Sequence, residues 1–297
     1  MATDPFGAIE MIKKSEGNYP FLGLMTVLVG LMFIFGFKAM NTLRAETVYK
    51  FGVVPQFEPR KLADIWMPIL AELSSRTGLK FEMVGSSRIG EFERSFLAGE
   101  YHFAYMNPYH ALLASSNKGY VPLVRDHGRK LSGILVVRKD SKIKNVEELN
   151  GKSVAFPSPN ALGASLLMRA DLEKREGVHV KPIYVQTHSS VYLNVLLNKT
   201  VSGGGVMGSL RLQSKDVQDG LRVLYKTREM MPHPVVAHPN VNEKDRQLVR
   251  NAFLAMGETE QGAALLAKVP FKKVGEAGVL EYLELQSWGL DEFFVNE

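Results

Sequence analysis

The sequence predicts an α/β protein of two lobes carried behind one transmembrane helix. Three observations lead there. Short β-branched runs alternate with amphipathic helical runs in two successive series, and a helical tail follows the second. Residues 21–37 (FLGLMTVLVGLMFIFGF) carry no charge over 17 positions. Alternating strands and helices indicate parallel sheets covered on both faces. Two such series place a ligand in the crevice between them.

The chain has 297 residues, enough for a core in each lobe. A composition of 45% hydrophobic and 23% charged residues is ordinary for a globular protein. Cys is absent, which excludes disulfides, thiolate metal sites and Cys nucleophiles. Lys and Arg total 36 against 31 Asp and Glu, and this small basic excess is scattered, which argues against nucleic acid as a partner. There is no G-x-S-x-G elbow, H-E-x-x-H pair or complete phosphate loop, so neither catalysis nor a cofactor or metal is expected.

Residues 1–20 read as an N-terminal tail and residues 21–40 as the anchor. A span needs about 20 apolar residues, and a buried core helix would show a polar face that this run lacks. Ala45 is preceded by Arg44 and Leu43, a large residue where a cleavage site wants a small one, so the anchor is expected to stay on the chain and in the bilayer. Lys13 and Lys14 before the span are offset by Lys38 and Arg44 after it, and the positive-inside rule leaves the orientation undecided.

From Thr47 the elements follow in order. Thr47–Val54 is a β-branched strand stopped by Pro55, and Lys61–Arg76 puts Leu62, Ile65, Trp66, Ile69, Leu70 and Leu73 on one helical face before Gly78. Phe81–Val84, Phe103–Met106, Val121–Val124 and Gly133–Arg138 are strands. Ile89–Leu97 and a run opened by Pro108 are helices. The second series has strands at Ser153–Phe156, Lys181–Val185, Gly203–Met207 and Leu221–Tyr225, with helices at Ala161–Arg175 and Ser189–Leu197. Val235–Ala237 returns the chain, and Glu243–Met256, Glu260–Lys268 and Val279–Ser287 are helical. Residues 47–137 with 235–297 form the first lobe and residues 138–234 the second. The junction Phe156–Gly163, a Pro-punctuated turn opening into a helix, is the kind of place where free N–H groups and a helix dipole meet an anion.

Several stretches resemble a known family. FGVVP at Phe51–Pro55, W-x-P-I-L from Trp66, then Leu97, Gly99 and F-A-Y-x-N-P from Phe103 appear in order. LVVRKDS from Leu135 and LNGKSVAF from Leu149 follow. Together they resemble the periplasmic phosphate, phosphite and phosphonate-binding proteins of ABC transporters over residues 47–290. The resemblance implies a type II periplasmic-binding-protein fold, a small oxyanion held between the lobes, and an ABC permease as partner. It also implies a cytoplasmic N-terminus and a periplasmic soluble part.

The family's binding positions transfer unevenly. Gly163 is kept, but Asn160, Ala161 and Leu162 stand where hydroxyl residues are usual. The family His is matched by His188, flanked by Thr187, Ser189 and Ser190. Ser202 stands where an acidic residue is expected. A first-lobe Tyr position falls at Arg88 or Ile89, and Tyr105 or Met106 takes an aromatic one, with Asn107 beside them at a strand end. The resemblance therefore implies a ligand set of Asn160, Ala161, Leu162, Gly163, Thr187, His188, Ser189, Ser190, Tyr105, Asn107, Arg88 and Ser202.

Local chemistry offers other uses for the same residues. Asn160 and His188 can cap helices, and Gly203–Gly205 suits a close backbone approach better than a phosphate loop. His233 and His238 lie among prolines in an extended segment that fits no metal pair, while His102, His110, His127 and His179 need only solvated or capping roles. The loss of hydroxyls leaves two further functions open. The fold could serve as an accessory subunit of a larger inner-membrane complex, such as a respiratory one, or the cleft could hold a more apolar solute.

Overall fold

The computed structural model describes residues 47–269 and 271–296, so the expected tail and anchor, residues 1–40, lie outside the described residues. Among the described residues no helix is long and apolar enough to cross a membrane.

The first lobe alternates β1 (Val48–Val53), α1 (Pro59–Thr77), β2 (Lys80–Val84), α2 (Ile89–Ala98), β3 (Phe103–Tyr105), α3 (Pro108–Lys118) and β4 (Val121–Asp126). Helix α1 starts at Pro59, where a missing N–H costs nothing, and stops at Gly78, whose φ of +70° suits only glycine well. Its buried stripe of Leu62, Trp66, Ile69, Leu70 and Leu73 covers a sheet face carrying Phe51 and Phe103.

The second lobe holds β5 (Gly133–Arg138), β6 (Ser153–Phe156), α4 (Leu167–Lys174), β7 (Lys181–Tyr184), α5 (His188–Leu196), β8 (Ser202–Val206), α6 (Met207–Arg211), α7 (Lys215–Asp219) and β9 (Leu221–Lys226). Its strands are buried on both sides: Ile134 and Val136 pack with Tyr192 and Val195, while Leu135 packs with Phe156 and Met168. The chain then returns through β10 (Val235–Ala237), α8 (Glu243–Gly257), α9 (Glu260–Ala267), β11 (Val274–Glu276) and 3₁₀ turns at Val279–Trp288 and Asp291–Phe293. The helical segment expected over Val279–Ser287 is present as a 3₁₀ helix over Val279–Trp288.

The first sheet runs β2-β1-β3-β10-β4-β11 and the second β7-β6-β8-β5-β9. Strands β2, β1 and β3 are parallel, as are β7, β6 and β8. Strand β5 belongs to the second sheet, so the change of lobe comes at residues 127–132, one strand before the sequence boundary at 137. The two crossing segments pair once, through reciprocal backbone hydrogen bonds of Leu131 and Met230 at 2.9 and 2.8 Å.

A separate apolar cluster joins the lobes. Tyr109 and Leu112 from α3 meet Leu162, Leu166 and Leu167 from the second lobe, with Leu285 and Leu290 from the C-terminal segment packed between them. The C-terminal residues are therefore a strap across both lobes rather than a free tail.

Gly203, Gly204 and Gly205 all lie in β8, as the close-approach reading expects. A Cβ on Gly204 would stand 2.0 Å from Ala164 O, and one on Gly205 would stand 2.2 Å from Tyr192 Oη. The helices of this lobe rest on bare backbone. Gly204→Ala is expected to destabilise the protein by at least about 1–3 kcal/mol in urea unfolding, because the blocking atom is a backbone oxygen. A stability equal to wild type would mean that the segment at Ala164 shifts freely.

Candidate functional site

The C-terminal ends of the strands of both sheets face one interlobe cleft, the position that open α/β sheets use for ligands. Gln56 and His233 divide it into a narrow and a wide part: Gln56 Nε2 and His233 Nε2 lie 3.1 Å apart, and both residues border each part.

The narrow part lies at the predicted junction. It is bordered by Asn107, Ala161, Leu162, Gly163, His188 and Ile89 among others, and its volume is about 20 Å³, room for about one water. The chain after Phe156 does not enter an α-helix directly: Leu162–Leu166 form a π-turn that runs into α4. Asn160 does not cap this turn. Its Nδ2 donates to Glu93 Oε2 at 2.9 Å and to Val295 O at 2.7 Å, and its Oδ1 accepts from Val295 N at 2.9 Å. Asn107 caps α3 by accepting from His110 N at 2.8 Å, and its Nδ2 donates to Asn160 O at 3.3 Å. Both amides are committed within the protein.

The donors of α5 are committed too. Thr187 caps this helix by accepting from Ser190 N at 3.1 Å, and its Oγ1 lies 3.0 Å from Ser190 Oγ. His188 turns inward, with Nδ1 3.0 Å from Ser209 Oγ, which is itself tied to Tyr192 Oη at 2.7 Å. Burial pushes His188 down to about 4 and His233 to about 3, the latter helped by neighbouring His110, His188 and Arg129. Both rings are therefore uncharged at neutral pH, and the residues bordering the narrow part include no Lys or Arg.

The wide part has a volume of about 300 Å³. Tyr105 stacks on His233 with ring centroids 5.3 Å apart, and Phe57, Leu131, Val269 and Phe271 add apolar wall. Arg129, Lys130, Arg211, Lys226 and Lys272 stand around it. Among its lining residues the one carboxylate is Asp126. Its Oδ1 accepts from the backbone N–H groups of Gly128, Lys272 and Lys273, and its Oδ2 lies 3.0 Å from Arg129 Nε. The wide part is thus strongly cationic.

Of the residues expected to bind, Tyr105 borders the wide part, and Asn107, Ala161, Leu162, Gly163 and His188 border the narrow part. Asn160, Thr187, Ser189 and Ser190 stand behind them and border neither. Arg88 precedes α2 with an exposed side chain 3.6 Å from Glu91, well placed for water rather than for the cleft. Ser202 is enclosed in the second sheet, donating to Val136 O at 2.8 Å. Glu93 carries no sequence-based expectation, and for His110 the expectation is a solvated or capping role. Both are buried, with His110 Nε2 2.7 Å from Glu93 Oε1. The signal existed: Glu93 falls on the same helical stripe as Ile89, Phe92 and Phe96, a charged residue at a core position. Apart from the adjacent Arg129 and Lys130, the cations of the wide part are separated in sequence and share no motif.

The family model for the periplasmic substrate-binding protein of ABC phosphonate transporters matches residues 51–282. No curated protein sequence matches the chain. Among solved structures, a binding-protein component of an ABC phosphonate transporter from Pseudomonas aeruginosa superposes with a TM-score of 0.75 at 17% identity, covering 82% of this chain and 85% of that one. The Prochlorococcus marinus protein PhnD1, solved with methylphosphonate, gives 0.75 at 14% identity over 82% of this chain and 98% of its own. A Xanthomonas citri protein solved with chloride gives 0.69 at 16% identity over 83% and 98%. At these identities the structural likeness is one of fold: two α/β lobes of the type II periplasmic-binding-protein arrangement.

Burial of a neutral His has a pH signature. His188 binds protons more tightly unfolded, near 6.5, than folded, at about 4, so its contribution is full above pH 6.5 and is lost as pH falls toward 4. Urea unfolding at pH 7.5 and pH 5 is expected to show a loss roughly 2 kcal/mol larger in wild type than in His188→Asn. Equal losses in the two proteins would place the ring in water.

Proposed function

The chain belongs to the phosphonate family of ABC transporter periplasmic substrate-binding proteins, and from that premise we propose that it is a membrane-tethered solute-binding protein whose ligand is an anion held in the wide part of the interlobe cleft. In this reading residues 21–40 are the anchor, the N-terminus is cytoplasmic, and the lobes stand in the periplasm beside an ABC permease of the inner membrane. The protein binds and presents; it performs no catalysis.

The observation that carries this reading is the charge of the wide part, where Lys130, Arg211, Lys226 and Lys272 surround about 300 Å³ and the one lining carboxylate, Asp126, is paired with the remaining cation, Arg129. A cleft of one sign with apolar walls concentrates ligands of the other. Oxyanion heads such as phosphate, phosphite and phosphonate suit Arg and Lys donors, and Phe57, Leu131 and Phe271 leave room for an apolar substituent. The residues matching the family's oxyanion position support the rest of the site without gripping the anion. Asn107, Asn160, Thr187 and His188 have their hydrogen bonds within the protein, and a divalent anion in 20 Å³ without a cation would be uncompensated.

A second reading, an accessory subunit of an inner-membrane complex, is favoured by the hydrogen bonds that tie Asn107 and Asn160 into the seam between the lobes. Calorimetry on the full chain in detergent separates the two. Phosphate, phosphite, methylphosphonate, phenylphosphonate and sulfate form the panel. Salt-sensitive binding of at least one is expected, weakened roughly three- to tenfold by Arg211→Ala and again by Lys226→Ala. Silence across the panel, together with a stoichiometric partner after purification in mild detergent, would favour the accessory role instead.

A further inference from the structure

A buried carboxylate lies where the two lobes meet, and nothing in the anion-binding reading uses it. Glu93 projects from the apolar face of α2 and is 4% exposed. Its two oxygens are bonded from opposite lobes. His110 Nε2, on α3 of the first lobe, lies 2.7 Å from Oε1, and Asn160 Nδ2, of the second lobe, donates to Oε2 at 2.9 Å. His110 is fully enclosed against Phe92 and Phe96, and Asn160 is 1% exposed.

We propose that Glu93 is a tethered internal ligand: its carboxyl group is bonded from both lobes at once and holds them together from within. In a two-lobed binding protein, closure is favoured by an anion that gathers donors from both lobes at once. Here a carboxyl group that does so is covalently part of α2. It meets Asn160, the residue just before Ala161, Leu162 and Gly163, while Ile89 of the same helix borders the narrow part. Tethering makes the contact intramolecular, so no free ligand competes at ordinary concentrations. Asn160 then passes the fixation to the strap through Val295. The lobes stay closed whether or not an anion sits in the wide part, so this proposal and the anion-binding reading stand or fall separately.

The site that Glu93 fills should accept a small free carboxylate once the side chain is removed. The absence of Cys allows spin labels at Asp64→Cys and Lys199→Cys, one exposed position on each lobe. In the otherwise wild-type full chain, the interlabel distance is expected to be narrow and unchanged by phosphate or methylphosphonate. Glu93→Ala should lengthen or broaden it and lower Tm by on the order of 10 °C. Tens of millimolar acetate or formate should recover part of both, whereas chloride at equal ionic strength should not. Glu93→Gln, which keeps the space filled, should gain nothing from acetate. An unchanged distance in Glu93→Ala, recovery by chloride equal to that by acetate, or equal gains in Glu93→Gln would each overturn the proposal. Should Glu93→Ala fail to fold in buffer, soluble protein after refolding in acetate but not in chloride supports it, and failure in both overturns it.

Discussion

The seam between the two lobes depends on satisfying one buried carboxyl group. Glu93 sits on a helix face otherwise made of Ile89, Phe92 and Phe96, where an unmatched carboxylate costs several kcal/mol. Satisfying it fixes the ring of His110 on α3, the amide of Asn160 in the other lobe and, through that amide, the backbone of Val295. Four segments far apart in sequence thus take their relative positions from a single side chain. Around it the apolar cluster of Tyr109, Leu162, Leu166 and Leu285 closes the same seam without direction of its own. Burial supplies most of the cohesion, and the hydrogen bonds select the one register in which it is gained.

The cleft is divided by chemistry as well as by shape. The narrow part is uncharged, with neutral His188 and His233 and side-chain amides turned to other work, while the wide part has cations on flexible, solvent-reaching stems. The seam between the lobes is held by hydrogen bonds within the protein. Arg125 pairs with Glu281 at the root of the strap, Arg169 donates to Phe293 O, and Arg228 lies over the Trp288 ring. The strap is thereby fastened along its length, not only at Val295.

The fold was readable because period and punctuation agree with it. Alternating runs, Pro108 after Asn107, Gly78 after the α1 stripe and the triple glycine of β8 each have one sensible local structure, and each takes it. The site was readable only in outline. Ala161, Leu162 and Gly163 of the junction border the cleft, but the direction of the Asn160 amide behind them depends on Glu93 and Val295, which lie 67 and 135 positions away in sequence. Nothing local to Asn160 distinguishes a cap from a cross-lobe tie. Thr187 took the capping role instead, which freed His188 to turn inward. Arg88 and Ser202 were placed by motif spacing alone, and each found a partner nearer than the cleft. The cations of the wide part come from the first crossing segment, the end of α6, the end of β9 and the loop before β11, so their convergence is a product of topology and not of any motif.

Strand β10 has a consequence for how the chain is made. It lies between β3 and β4 in the first sheet, paired antiparallel to both, yet its residues follow the whole of the second lobe. The second lobe is one continuous stretch and can complete its sheet as soon as it leaves the ribosome. The first lobe cannot: β3 and β4 wait with open edges until Val235–Ala237 arrives. Long-range pairing of this kind is slow, and unpaired edges are where chains join the wrong neighbour. The half of the molecule synthesised first is therefore the last to be finished.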